Sequence, residues 1–394
     1  MRWFYYYPTF NKPSGGHKQI RLMASLLTEL GIDVRLLRDR SFLADPAPFD
    51  DNQFYGVSVP LAAFPFEDGS RHLKPDDILI LPEVFLEQSL SLCGGWKCRF
   101  ALNNQNGFYA LRYAPRRAAL RSLIEFAIAN APYVAAICNE FLGIPAERIF
   151  HVPHWVVRPP FDLRGTAEGG EGRQLAVCYM PRKLPDIVRH VRDLVLQSHP
   201  HTPWVEIDGV PEAEVARRYR QSSVFFAAQD LEGCPLTALE AMACGCVVAG
   251  YPGTDRFPHP YATAGNGFWT RDRDVQRGAS AVRSAIDLCR TGGPRYEQYI
   301  QAGRKTAERF AEAAVRTALT YLVDVVEKDG YRARRTSAGA LGWKETYFAY
   351  KLLYAYDRLG RVGRLLGALG KATKPLRLAL SRMQACVFRW RHGS

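Results

Sequence analysis

Residues 232–250 read Glu-Gly-Cys-Pro-Leu-Thr-Ala-Leu-Glu-Ala-Met-Ala-Cys-Gly-Cys-Val-Val-Ala-Gly. The apolar runs 224–228 upstream and 246–249 downstream suit buried strands. Between them the text predicts one helix of about two to three turns, with Pro235 at a first-turn position and Gly245 closing it after Cys244. At roughly 100° per residue Leu236, Leu239, Met242 and Ala243 share one face, which leaves Glu240 at its edge, looking into a cleft. Glu232 falls at the carboxyl end of a strand, where open α/β sheets bind ligands. The helix N-terminus beside it offers free amides to a phosphate, and Glu240 can accept hydrogen bonds from both hydroxyls of a ribose. Taken alone, two such glutamates are better explained by helix electrostatics or a solvated face.

Outward from this stretch the pattern repeats. Strands are expected at 2–7, 33–37, 78–81, 99–102, 134–137 and 150–152, with helices over 17–30 and 116–129 and another after Glu83. After Pro159-Pro160 and the glycines 165, 169, 170 and 172, further strands are expected at 175–179, 204–207, 224–228 and 247–249. Alternation of this kind means parallel sheets covered on both faces. The expected organisation is a Rossmann-like domain over 1–158, a linker at 159–173, a second Rossmann-like domain over 174–330 whose last helices can cross back, and a basic tail at 331–394.

Three further sites carry chemistry. Lys12-Pro13-Ser14-Gly15-Gly16-His17 follows the first strand and opens a helix; paired glycines let backbone approach a ligand, although many such pairs only make the turn. Tyr179-Met180-Pro181-Arg182-Lys183 follows a strand in the second half, and adjacent side chains do not share one helix face. Asn103-Asn104-Gln105-Asn106-Gly107 and Glu83 follow strands of the first half. An Asn-rich turn also follows from its backbone preferences alone.

The stretch from Glu232 to Gly250 resembles the E-x7-E segment of retaining nucleotide-sugar glycosyltransferases of GT-B architecture, glycosyltransferase family four, the group-one glycosyl transferases. The resemblance implies an α/β protein of two Rossmann-like domains facing across a cleft, to which the basic composition of the last residues adds a helical extension. It implies that Glu232 approaches the transferred sugar, that Glu240 holds the nucleotide ribose, and that Gly233, Cys234, Pro235 and Leu236 border the donor. The usual E-G-F-G start is Glu232-Gly233-Cys234-Pro235 here, which removes one glycine from the donor pocket. The same resemblance places Gly15 and Gly16 against the donor phosphate or the acceptor, and Arg182 and Lys183 on the diphosphate, where fixed cations stabilise the departing group. It puts the 103–107 loop, with Asn106, on the acceptor side; Glu83 just beyond a strand is a further candidate acceptor contact, and His17 is either another or a solvated first-turn residue. The donor is then a nucleotide-diphosphate sugar, the acceptor a hydroxyl of a glycan or lipid-linked glycan in a bacterial glycoconjugate pathway, and no cofactor is required. Neither an Asp-x-Asp metal signature nor a four-ligand set stands out, Cys244-x-Cys246 and His199/His201 included.

Composition constrains the alternatives. A chain of 394 residues with 47% apolar content supports two buried cores. Nine cysteines without C-x-x-C spacing read as reduced thiols of a cytoplasmic protein. The first residues lack a signal-peptide pattern, and no uncharged run reaches about eighteen residues. The net charge of +13 raises a nucleic-acid-binding alternative, but residues 331–394 hold fourteen Lys/Arg against two Asp/Glu, which leaves the body nearly neutral, so nucleic acid is not expected. From Trp343 onward aromatics alternate with bases, and Phe348, Leu352, Ala355, Leu359, Val362, Leu366 and Leu369 form an apolar seam. Residues 343–394 therefore fit peripheral attachment to an anionic membrane, or packing back on the body. An epimerase or phosphorylase-like enzyme of the same fold is the remaining alternative; it would turn over donor without a hydroxyl acceptor.

Overall fold

The computed structural model describes residues 1–7, 14–41, 56–86, 95–161, 173–230, 232–253, 261–271 and 273–328. The tail 331–394 and most of the expected linker lie outside the described residues, and with them the seam and bases from Trp343 onward.

Two parallel sheets organise the chain. The first is built from β1 (Trp3–Tyr6), α1 (Gly15–Glu29), β2 (Val34–Leu37), β3 (Ile78–Pro82), β4 (Arg99–Asn104), α2 (Arg117–Leu123), β5 (Ile124–Ala129), α3 (Pro132–Glu140) and β6 (Ile149–His151). Its spatial order is β2-β1-β3-β4-β5-β6. The second comprises β7 (Gln174–Tyr179), α4 (Pro185–Leu196), β8 (Trp204–Glu206), α5 (Glu212–Gln221), β9 (Ser222–Ala228), α6 (Leu236–Ala243), β10 (Val247–Tyr251), β11 (Gly267–Trp269), α7 (Val275–Thr291) and α8 (Gly293–Glu308), in the order β11-β10-β9-β7-β8. Helix α9 (Glu312–Lys328) then returns to the first sheet, where Val315, Leu319 and Leu322 join Trp3, Tyr5 and Ile20 in one core.

The strands read as near-continuous apolar runs because helices cover both faces. Side chains alternate: Trp3 and Tyr5 enter the core under α1 and α9, while Phe4 and Tyr6 enter the core on the opposite face. The order of strands reverses between β1 and β3 in one sheet and between β7 and β9 in the other. Loops leaving the carboxyl ends of strands at such switch points form the crevice where ligands of open sheets bind.

Three local expectations are corrected. The helical pattern expected over 116–129 ends at Leu123, and Ile124–Ala129 is a fully buried strand. Its one charged residue, Glu125, takes a hydrogen bond of 3.0 Å from Arg99 Nε on the neighbouring strand, so a charge that reads as solvent-facing is satisfied inside the sheet. The strand expected at 134–137 lies instead within α3, which opens at Pro132 and buries Tyr133, Val134, Ile137 and Cys138 at helical spacing. Pro235 occupies the N-cap of α6 rather than its first turn, while Gly245 closes the helix in the left-handed region at φ 80°. The short edge strand β11 carries too few residues for a pattern and was not expected.

Candidate active site

The switch-point loops of both sheets face one cavity of about 620 Å³. From β1 come Gly15, Gly16 and His17; from β3, Glu83; from β4, Gln105 and Asn106; from β7, Arg182 and Lys183; and from β9, Gln229, Glu232, Cys234 and Pro235, followed by Leu236 and Glu240 of α6. Every residue expected at the site except Gly233 lines this space. Gly233 instead holds the walls together: a Cβ built on it would fall 2.2 Å from the Gln105 carbonyl oxygen. Gly15 makes the matching approach from the other side, where an added Cβ would meet Leu236 Cδ1 at 2.8 Å. Both glycines thus allow the two halves to touch.

Local structure fixes each wall. Ser14 caps α1 by accepting from the His17 amide at 3.2 Å, and its hydroxyl lies 2.8 Å from His17 Nδ1. The His17 ring packs edge-on to Tyr7 with centroids 4.9 Å apart. Asn106 caps the short helix after β4 by accepting from the Phe108 amide at 3.1 Å. The Tyr133 hydroxyl donates to the Glu232 carbonyl, tying α3 to the loop that carries the first glutamate.

Charge is distributed unevenly. The Glu232 carboxylate contacts the Lys183 ammonium, and Arg182 stands exposed beside it at the cavity rim. Burial and the Arg182 charge lower the Lys183 ammonium to about 8, while Asp230 pulls it upward; contact with Glu232 adds to the upward pull. Deeper in, Lys18 of α1 lies 2.6 Å from Glu240 Oε1 and 2.5 Å from Glu212 Oε1, and Arg158 pairs with Glu212 in turn. Two cations and two carboxylates balance, and the Lys18 ammonium also sits 4.6 Å from the centre of the Phe161 ring. Glu83 accepts from the Gln105 amide at 3.1 Å, yet burial still pushes its carboxyl up to about 7. His154 is pushed down to about 3 by burial, with Lys18 and His151 adding to the effect. Among the described residues no three His, Cys, Asp or Glu gather as metal ligands.

Sequence reasoning missed Lys18, Glu212, His154 and Gln229, and it named Gln105 only as part of the Asn-rich run 103–107. Lys18 did leave a signal. A lysine in the first turn of a helix opposes the macrodipole, so its presence there implies a carboxylate partner.

The family model for glycosyl transferases group 1 matches residues 207–306, a window that spans α5 to α8 and contains both Glu232 and Glu240. An α-1,6-glucosyltransferase of Actinobacillus pleuropneumoniae serotype 7 (strain AP76) is 34% identical over 290 residues, covering 72% of this chain and 83% of that protein. This chain belongs to the group 1 glycosyl transferases. It is a glycosyltransferase, and its two facing parallel sheets are the GT-B architecture, as solved structures of low sequence identity also show. Sucrose-phosphate synthase from Thermosynechococcus elongatus aligns with a TM-score of 0.58 at 12% identity, over 84% of this chain and 100% of its own. A glycosyltransferase from Rickettsia africae ESF-5 aligns with a TM-score of 0.57 at 13% identity, over 83% and 99%. HepE of Anabaena in complex with UDP-glucose gives 0.54 at 12%, over 82% and 100%.

Proposed function

We propose that this group 1 glycosyl transferase moves a glucosyl or closely related hexosyl group from a nucleotide diphosphate to a hydroxyl of a glycan or lipid-linked glycan. The observation that carries this reading is the placement of Glu232 and Glu240 at separate points of one cavity, with Arg182 and Lys183 at its rim. Glu240 takes the ribose, Glu232 the transferred sugar, and the cations the diphosphate, with the backbone of Gly15 and Gly16 close by. Cys234, Pro235 and Leu236 border the donor, while His17, Glu83 and Asn106 serve the acceptor side. The glucosyl assignment is supported by the 34% identical relative, and a uridine nucleotide by the ligand of the Anabaena structure.

In the reaction the bond from the sugar C1 to the β-phosphate oxygen breaks and a bond from C1 to the acceptor oxygen forms. Negative charge grows on the departing diphosphate, where Arg182 and Lys183 stabilise it more strongly than in the ground state. We assign retention, with the acceptor attacking on the face the diphosphate leaves. The departing oxygen then takes the acceptor proton, and the α product of the relative fits this outcome.

Titration calorimetry of the full chain against UDP, GDP, ADP and deoxythymidine diphosphate tests the donor assignment. One nucleotide, UDP on this reading, binds well ahead of the others; absence of binding by all four overturns it. Incubating the matching nucleotide glucose without acceptor checks the reaction type, since epimerised donor would sink the transferase step. We also propose that residues 343–394 attach the enzyme to the inner, anionic face of a membrane, on the strength of their basic and aromatic composition. No helix among the described residues is long and apolar enough to cross a membrane.

A further inference from the structure

Behind the charged residues the cavity has a neutral polar wall. His154, just beyond β6, lines it with only 4% of its surface exposed. Its Nε2 lies 3.0 Å from Asn130 Nδ2, and the same Nδ2 donates to the Gln105 carbonyl at 2.8 Å. A carbonyl only accepts, so the nitrogen end of the Asn130 amide must face both groups; it has two hydrogens, one for each. His154 Nε2 is therefore the acceptor, and in the neutral ring the hydrogen resides on Nδ1. Burial keeps the ring neutral, with its titration near 3.

That Nδ1 is buried and has no hydrogen-bond partner among the described residues. Among the described residues none supplies an acceptor for it, which is uncommon enough for a buried polar atom to require an explanation. Gln105 presents the complementary case on the same cavity. Its Nε2 donates to the Gly16 carbonyl at 3.1 Å, which fixes the amide, and its buried Oε1 has no donor among the described residues. Both residues line the same cavity, and a ligand carrying hydroxyls can answer each group, since a hydroxyl accepts and donates; a phosphate, which only accepts, leaves the Gln105 oxygen unanswered.

We propose that His154 donates a hydrogen bond through Nδ1 to a hydroxyl of the transferred sugar and so contributes to donor specificity. This rests on the donor reading above. Asn130 is the positioning residue, because its amide sets which ring nitrogen carries the hydrogen.

Two substitutions separate this role from a structural one. In His154→Asn the side-chain nitrogen can take the place of Nδ1, whereas in His154→Gln the amide reaches toward Asn130 and leaves the Nδ1 position empty. Calorimetry with UDP and with UDP-glucose should show His154→Gln losing tenfold or more for UDP-glucose while UDP changes less than twofold. His154→Asn should stay within threefold of wild type for both. Equal affinities in His154→Gln and wild type, parallel losses for UDP and UDP-glucose, or a greater loss in His154→Asn than in His154→Gln overturn the assignment. Wild-type protein that binds no nucleotide diphosphate overturns the donor reading and this inference together, and that failure is visible before any variant is made. Should His154→Gln not fold, imidazole proton–nitrogen correlations of the wild type serve instead. The Nδ1–H signal should move on adding UDP-glucose and not UDP, and an unmoved signal refutes the proposal.

Discussion

Lys18 and Glu240 stand 222 positions apart in the chain and 2.6 Å apart in space, with side chains only 5% and 6% exposed. The pair joins the first helix of one half to the E-x7-E helix of the other, and it neutralises the carboxylate assigned to the ribose. A ribose bound by Glu240 has to share that carboxylate with Lys18. Removing one member of a buried ion pair leaves an uncompensated charge, at a cost of about 3–5 kcal/mol. Lys18→Met should therefore destabilise by about 3 kcal/mol, since Glu212 keeps Arg158 but Glu240 keeps no cation among the described residues. Adding Glu240→Gln should restore part of this loss, with a coupling of about 1–3 kcal/mol in urea denaturation. Additive losses would show that the two residues do not interact in solution.

Glu232→Gln should lower kcat by about 100-fold, in the range of losing one transition-state contact. Its effect on nucleotide diphosphate affinity should be small, because the carboxylate is assigned to the sugar end and the Lys183 it contacts remains. Steady-state kinetics beside calorimetry with UDP distinguish the two. Unchanged turnover would reduce Glu232 to a loop residue whose carboxylate only steadies Lys183.

Gly233→Ala tests whether the halves must touch. The Gln105 carbonyl that an added Cβ would strike is backbone, and it already accepts from Asn130 at 2.8 Å, so it has little freedom to move away. Overpacking of this kind costs about 1–3 kcal/mol. Thermal unfolding should register that loss, and activity should fall with it because Gln105 and Glu232 are pushed apart. An alanine variant with wild-type stability and kinetics would show that the contact is not held in solution.

How far the sequence carried depends on the range of the interaction. The strand–loop–helix unit around Glu232 and Glu240 was legible because its signals are local: an apolar run, a proline at the helix start, and Gly245 at its end. The cations at 182–183 were singled out by the family resemblance, and both line the same cavity. The Lys18 pair was not, since nothing near position 18 names a partner in α6. Burial misled at Glu125, where a charge answered by Arg99 across β4 and β5 made a strand look like the solvent face of a helix. Apolar residues of α3 looked like a strand because four of them in a row satisfy both periods.

The tail yields a prediction from composition alone. Twelve net positive charges within 331–394 would be attracted to an anionic surface, each base near it contributing about 1 kcal/mol. Deleting residues 343–394 should abolish co-sedimentation with vesicles containing phosphatidylglycerol, and raising the salt should release the full chain. Equal sedimentation of both proteins would refute attachment through this segment.

Glu83 supplies a dependence on pH. Its carboxyl titrates near 4.5 in the unfolded chain and near 7 when folded, because burial outweighs the amide hydrogen bonds it accepts. Between those values the folded protein holds one more proton than the unfolded chain, so stability falls as pH rises. The stability attached to neutral Glu83 is thus fully present below pH 4.5 and is lost as pH rises through 7, to a total of about 3 kcal/mol. Glu83→Gln cannot ionise, and its amide oxygen can still accept from Gln105. Urea midpoints of the variant and the wild type should accordingly be closest at pH 4.5, separate between pH 4.5 and 7 in favour of the variant, and level off above pH 7. A constant difference across that window would show that Glu83 is already ionised in the folded protein and that its contacts with the Gln105 and Asn106 amides prevail over burial.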